Sequence, residues 1–360
     1  FNIRGGDVKY NPVVLSYAVI TLDKVILFVD ENKLNDEIKA SFGEEAVEIK
    51  EYFQIDEFVK TINKEEVVLV DNNKINYTIL KNIPEGEKIL NSMNTSTVFK
   101  AQKNPEEIAN TKQAHIRDGV AVTKFMYWLK NNIGKIEITE ISAAEKMTEL
   151  RREQGGFIEE SFDSIAGYGA NGAIVHYSAT EESNTTLQPK GLFLLDSGGQ
   201  YFDGTTDITR TFAVGELTEE EKYHFTTVAR AMIRLSGVKF LHGVNGYYLD
   251  ILARGILWNE GLNYNHGTGH GIGHVLNVHE GPNGFRFDNP NLAKLEEGMI
   301  TTNEPGFYKA GSHGIRLENE MLCVKGEKNE FGQFMEFEPI TIAPIDLDAI
   351  NVDLMKEDEK

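Results

Sequence analysis

Residues able to hold a divalent cation fall in three short segments of the 360-residue chain. In the first, Asp196 closes the apolar run Leu194-Leu195 and Asp207 opens the next, with Gly198, Gly199 and Gly204 turning the chain between them. Folded as a hairpin, this segment brings two carboxylates together. Such a pair repels unless a cation lies between the groups or one of them takes up a proton. On its own the pattern also fits a surface turn with two solvated acids.

The second segment reads His266-Gly267-Thr268-Gly269-His270-Gly271-Ile272-Gly273-His274 and continues to Asn277-Val278-His279-Glu280-Gly281-Pro282. Glycine at alternate positions excludes a stable helix, so His266 and His270 do not share a helical face. It also lets the backbone approach a ligand closely. Four of the nine histidines of the chain lie here, a density that points to ligation or proton transfer. His274 reads as structural. So do His115, His224 and His242, in or beside helices, and His313, in a polar turn.

The third segment holds Glu304, with Pro305-Gly306 turning the chain behind it, and then Arg316-Leu317-Glu318-Asn319-Glu320. An unpaired carboxylate on a buried strand is expensive, and Arg316 faces the same side of a strand as Glu318. A plain Arg316–Glu318 pair is therefore the simplest reading, with Glu320 solvated. Together the segments offer four carboxylates and one imidazole: Asp196, Asp207, His270, Glu304 and Glu318. Oxygen-rich ligation with one nitrogen suits Mn²⁺, Co²⁺, Fe²⁺ or Zn²⁺ better than copper or a Cys-type structural zinc. Four carboxylates also neutralise two divalent ions.

Strand-like, Gly-punctuated stretches at 191–199, 207–214, 299–308 and 316–324 carry these residues. Helices precede and interrupt them. Asn104-Pro105-Glu106-Glu107 is an N-cap, a proline at the first position and acids facing the helix dipole. It predicts a helix over 104–132 that buries Ile108, Ile116, Val120, Phe125 and Leu129 and ends at Gly134. Further helices are expected over 139–153, over 218–235 behind a Thr218–Glu221 capping box, and over 247–259 closed by Gly261. This is an α+β pattern, assigned to 103–360. Residues 1–102 read as an incomplete α/β unit, with strands at 13–20, 25–29 and 67–70 and helical spacing over 44–62. Residues 355–360 read as frayed.

Acids outnumber bases, 56 to 36, which argues against nucleic acid or an anionic membrane as partner. No apolar run of about 18 residues is present, so a transmembrane helix is not expected. The lone Cys323 excludes an intrachain disulfide, reads as a buried inert thiol, and fits a reducing, cytoplasmic setting. The opening Phe1-Asn2-Ile3-Arg4-Gly5 has no initiator Met and reads like the middle of a strand; the expectation is a chain truncated at both ends.

The order Asp196, Asp207, His270 within Gly-His-Gly-Ile-Gly, Glu304 before Pro-Gly, then Glu318 resembles the metallopeptidases of the pita-bread fold. Methionine aminopeptidase, prolidase and Xaa-Pro aminopeptidase share that fold. The longer strings Asp196-Ser-Gly-Gly-Gln-Tyr201, Asp203-Gly-Thr-Thr-Asp207, His266-Gly-Thr-Gly-His270 and Asn277-Val-His279-Glu-Gly-Pro282 are similar to those of the three-domain Xaa-Pro aminopeptidases. Asn2-Ile3-Arg4-Gly5 and Asn11-Pro12-Val13 resemble that group's creatinase-like middle domain. The resemblance implies two ions, usually manganese with cobalt or zinc as alternatives, bridged by Asp207 and Glu318. Asp196 then completes one site, and His270 with Glu304 the other. It implies that His176, His266 and His279 contact substrate, with Arg316 beside them orienting Glu318. It further implies removal of the first residue before proline by a metal-bridging hydroxide, with Glu304 moving the proton, and a homodimer in the full-length protein. A prolidase cutting X-Pro dipeptides shares the ligands. A non-catalytic peptide-binding module of the same fold would be expected to have lost them.

Overall fold

Short β-branched runs in the first hundred positions form strands, and the charged stretches between them wind into helices. The computed structural model describes residues 2–44, 46–63, 65, 67–86 and 88–360. It divides into two compact units, Phe1–Val98 and Phe99–Lys360. In the first, β1 (Ser16–Ile20) pairs antiparallel with β2 (Val25–Val29), and β2 pairs parallel with β3 (Val47–Lys50) across α1 (Asp36–Glu44). After α2 (Gln54–Val59), β4 (Val67–Val70) runs parallel to β5 (Lys88–Asn91) across α3 (Tyr77–Asn82). Phe28, Ile26, Ile55 and Val59 form its core.

Two sequence expectations fail here. Residues 44–62, of which 45 lies outside the described residues, are not one helix. Val47 and Ile49 are β-branched, and pairing with β2 overrides the helical spacing of the stretch. Asn2 to Gly5 lie in no strand, and Phe1 is outside the described residues.

After α4 (Thr95–Ala101), the second unit opens on α5 (Pro105–Asn132), where Asn104 and Glu107 complete a capping box. It then runs α6 (Glu140–Arg152), β6 (Phe157–Glu160), β7 (Ile165–Tyr168), β8 (Leu192–Ser197), β9 (Gly199–Tyr201), β10 (Gly204–Thr205) and β11 (Ile208–Ala213). Next come α7 (Glu219–Ser236), β12 (Lys239–Leu241), α8 (Gly246–Asn259), β13 (Gly269–His270) and β14 (Gly284–Phe285). The chain closes with β15 (Ile300–Asn303), β16 (Gly306–Lys309), β17 (His313–Arg316), β18 (Asn319–Asn329) and β19 (Gly332–Pro339). The fold class is α+β. The antiparallel sheet β11-β8-β7 packs on α5 and α6 through Phe125, Leu129, Met147, Phe193 and Phe212. The sheet β12-β19-β18-β15 packs on α7 and α8 through Leu235, Ala253, Leu257, Met321 and Phe337.

Helix α5 turns a different face inward than its apolar spacing suggests. Ile116 and Val120 are exposed, while Ala114, His115, Asp118, Gly119 and Ala121 are buried with Phe125 and Leu129. The buried polar pair explains the rotation. Asp118 accepts from Arg151 Nε of α6 at 2.7 Å, and both are fully buried. Residues 355–360 are not frayed either, since Glu359 is buried and accepts from Arg230 Nε at 2.7 Å. His313 is no turn residue; it is buried and lies 3.0 Å from His224 through Nε2 and Nδ1. No helix among the described residues is long and apolar enough to cross a membrane.

Two outcomes follow from this packing. A Cβ at Gly119 would collide with the Ile342 carbonyl. Gly119→Ala should therefore lower stability by about 1–3 kcal/mol in denaturant unfolding, although alanine is the better helix former. Burial and the neighbouring His313 hold His224 at about 4, against an ordinary value of 6.5. Its stabilising contribution is full above pH 6.5 and is lost as the pH falls towards 4, because the unfolded state binds the proton first. Unfolding of His224→Gln should accordingly depend less steeply on pH across that window than unfolding of the wild type.

Candidate metal centre

Antiparallel pairing of β8 with β11 sets Asp196 opposite Thr209 and Ser197 opposite Ile208, leaving Asp207 one position before β11. Glu318 lies in the break between β17 and β18, not on a strand. Its N–H donates to the Thr209 carbonyl at 3.1 Å, and Thr209 Oγ1 donates to its Oε2 at 2.7 Å. One carboxylate oxygen from each of Asp196, Asp207 and Glu318 lies within 4.8 Å of the others. Glu304 follows β15, its N–H bonded to the Thr268 carbonyl at 2.8 Å.

His270 arrives on β13. Its N–H donates to Thr302 Oγ1 at 3.0 Å, and that hydroxyl donates to Glu304 Oε1 at 3.1 Å. Its Nδ1 is 3.0 Å from the Gly271 carbonyl and donates to it, which leaves the Nε2 lone pair free. Nε2 stands 3.4 Å from Asp207 Oδ2 and 3.5 Å from Glu304 Oε1. The glycines here are sterically required, because a Cβ at Gly269 would strike the Thr302 carbonyl and one at Gly271 the Glu280 carbonyl. Behind the loop, buried Arg254 of α8 pairs with Asp250 and donates to the carbonyls of Tyr264 at 2.7 Å and His266 at 3.0 Å.

The donor set fits divalent cations. Asp196 Oδ1 and Glu318 Oε1 are buried and have no hydrogen-bond partner among the described residues. Burial, then the charges of Asp196 and Glu304, push the Asp207 carboxyl well above the ordinary carboxylate range. Burial, then Asp207 and Glu304, do the same to Glu318. Carboxylates in that state take up either protons or a metal. Donor atoms of His270, Glu304 and Glu318 likewise lie within 4.8 Å of one another, as do those of Asp207, His270 and His279.

Arg316 departs from its sequence reading. It does not pair directly with Glu318 but reaches it through Thr209, whose Oγ1 accepts Arg316 Nε at 3.3 Å and donates to Glu318 Oε2; its Nη2 donates to Asp196 Oδ2 at 2.6 Å. Its Nη1 meets the Tyr308 hydroxyl at 2.6 Å, and that hydroxyl is 2.9 Å from His266 Nε2. Sequence reasoning missed Tyr308, whose only signal was its place four residues after Glu304. Glu320 is not solvated but fully buried. It accepts the Asp207 N–H at 2.9 Å and stands 3.0 Å from His115 Nε2.

The carboxylates, His270, His266, His279, His176 and Arg316 line one cavity of about 660 Å³, with Phe162, Ile165, Val175 and Tyr177 supplying apolar wall. His279 packs edge-on against His270 at 4.3 Å between centroids. Desolvation inside the cavity, then the charge of His270, holds His279 at about 4 although the residue is exposed; desolvation, then Arg316, holds the half-buried His266 at about 3. Both rings are therefore neutral near pH 7. His274 lies outside this group, 3.0 Å from Thr111 Oγ1 through Nδ1.

Comparison with known proteins places this arrangement. Residues 1–107 match the creatinase/prolidase N-terminal domain. The chain is 42% identical over 366 residues to Xaa-Pro aminopeptidase 1 of Dictyostelium discoideum, covering 99% of this chain and 58% of that protein. The X-prolyl aminopeptidase of Caenorhabditis elegans, described as a cytosolic enzyme with a di-nuclear active site, superposes with a TM-score of 0.93 at 34% identity. That superposition covers 99% of this chain and 59% of the other. A Xaa-Pro dipeptidase of Bacillus anthracis gives a TM-score of 0.72 at 26% identity, over 93% and 89% of the two chains. The chain thus spans less than two thirds of each of these two aminopeptidases. The segments bearing Asp196, Asp207, His270, Glu304 and Glu318 all fall within residues 109–325, which match metallopeptidase family M24, and the chain belongs to that family.

Proposed function

We propose that this chain is the catalytic part of a metal-dependent aminopeptidase that releases the first residue from peptides with proline in second position. The observation that carries the reading is the convergence of four carboxylates and His270 on one cavity, with two buried carboxylate oxygens lacking hydrogen-bond partners among the described residues. Identity of 42% to an Xaa-Pro aminopeptidase supports the substrate class. The catalytic domain is assigned to residues 103–360. A cytoplasmic setting is proposed from the cytosolic C. elegans neighbour and the single buried thiol, Cys323.

Two divalent ions would be held by Asp207 and Glu318 in common, with Asp196 completing one position and His270 with Glu304 the other. The oxygen-rich donor set favours manganese, with cobalt or zinc as alternatives. When bound, such ions polarise the scissile carbonyl and bring the pKa of water towards neutrality. Glu304 accepts a proton from the attacking water and delivers it to the proline nitrogen as that nitrogen leaves. Neutral His279 donates to the carbonyl oxygen as it gains charge. His176 and His266 complete the substrate-facing ring, and Arg316 holds Asp196 and, through Tyr308, His266. Asp196 and the ion it would hold are assigned to anchor the free amino terminus, which would limit cleavage to the first bond.

Asp207→Asn should abolish stoichiometric binding of the second metal, read by elemental analysis after manganese loading, and should lower kcat by about 10³-fold or more. Full activity in that variant would remove Asp207 from the ligand set. The wild type loaded with manganese should hydrolyse Arg-Pro-Pro and leave X-Pro dipeptides intact. Cleavage of the dipeptides instead would make it a prolidase.

A further inference from the structure

The segment carrying His176 has little regular structure. Between β7 and β8 it makes one short turn of 3-10 helix, Gly169–Ala173, and is otherwise irregular. His176 itself is exposed, and its ring makes no hydrogen bond among the described residues. Something other than its own contacts must hold it in the cavity.

One carboxylate ties several parts of this segment together. Glu140, the first residue of α6, is fully buried, and no lysine or arginine pairs with it among the described residues. Its Oε1 accepts the Tyr168 N–H at 2.7 Å and Asn171 Nδ2 at 3.0 Å. Its Oε2 accepts the Tyr177 hydroxyl and the Thr185 N–H, each at 2.9 Å. Four neutral donors replace the water lost on burial. They come from the entry to the segment, its first turn, the residue beside His176, and its exit. Tyr177, so anchored, lines the same cavity as His176.

We propose that Glu140 is a positioning residue for His176: it fixes segment 169–186 so that the His176 imidazole faces the substrate. The proposal rests on the reading of His176 as a substrate-contacting residue in an X-Pro peptidase. In Glu140→Gln an amide N–H₂ faces two of the four donors, at nearly unchanged volume.

The test is a double-mutant cycle on Arg-Pro-Pro hydrolysis with wild type, Glu140→Gln, His176→Ala and the double variant, together with hydrogen–deuterium exchange. Glu140→Gln should lower kcat/KM by about 10- to 100-fold with manganese content unchanged. In the His176→Ala background the same change should cost less than about twofold. Exchange should rise across 169–186 and not in the strands that bear the carboxylates. Equal losses in both backgrounds, or unchanged exchange across 169–186, would overturn the proposal. If Glu140→Gln does not fold, Tyr177→Phe, which removes one of the four bonds, takes its place in the cycle with the same two criteria. The exchange measurement stands without turnover, so inactivity of the wild type would sink the peptidase reading while Glu140 is still judged.

Discussion

Four carboxylates brought into one buried pocket would push each other apart, and the rest of the second unit is arranged around that repulsion. Asp207 and Glu318 feel it most, because both are buried, with the charges of Asp196 and Glu304 acting on Asp207 and those of Asp207 and Glu304 on Glu318. Arg316 relieves part of it by pairing with Asp196. The remaining charge is what gives the pocket its demand for cations. A pocket of this kind gains metal affinity from the same electrostatic cost that would destabilise it empty.

Holding such groups in place needs a frame that does not yield, and the frame is mostly backbone and buried ion pairs. Arg210, itself buried, donates to the Glu318 carbonyl at 2.6 Å and to the carbonyls of Ala343 and Pro344. Asp118 and Arg151 work on the other side. Arg151 donates to the Ser197 carbonyl, just after Asp196, and Asp118 accepts from Thr206, just before Asp207. One buried pair therefore fixes the neighbours of both hairpin aspartates. Losing either partner would leave an uncompensated charge in the core.

The imidazoles depend on a different device. In the loop that carries them, Gly269 lies against Thr302 of β15, Gly271 against Glu280 and Asn283, and Gly273 against Leu276 and Glu280, so a Cβ at any of the three would strike a carbonyl or a packed neighbour. Arg254 and Asp250 then hold that loop from α8, with the guanidinium stacked between Tyr264 and Phe287. Desolvation inside the cavity keeps the half-buried His266 neutral, and with the neighbouring His270 it does the same for the more exposed His279. A neutral ring can donate through one nitrogen and accept through the other, which a charged one cannot.

The chain's own pattern determined the element types of the second unit, the helix starts at Asn104, Thr139 and Thr218, and the list of candidate ligands. Caps, periodicity and glycine spacing are local properties, so they are legible in a sequence. What lay beyond it were pairings between residues far apart in the chain. Arg316 sits two residues from Glu318, yet it pairs with Asp196, 120 positions away. Glu320 looked solvated and proved to be a buried acceptor for Asp207. Ile116 and Val120 looked like core and are exposed, since the buried Asp118–Arg151 pair sets the rotation of α5. Residues 44–62 failed for the same reason in reverse, a strand partner overriding local spacing. The sequence determined which groups could do chemistry; the tertiary structure decided which of them face each other, because charge pairing and burial are settled only when distant segments meet.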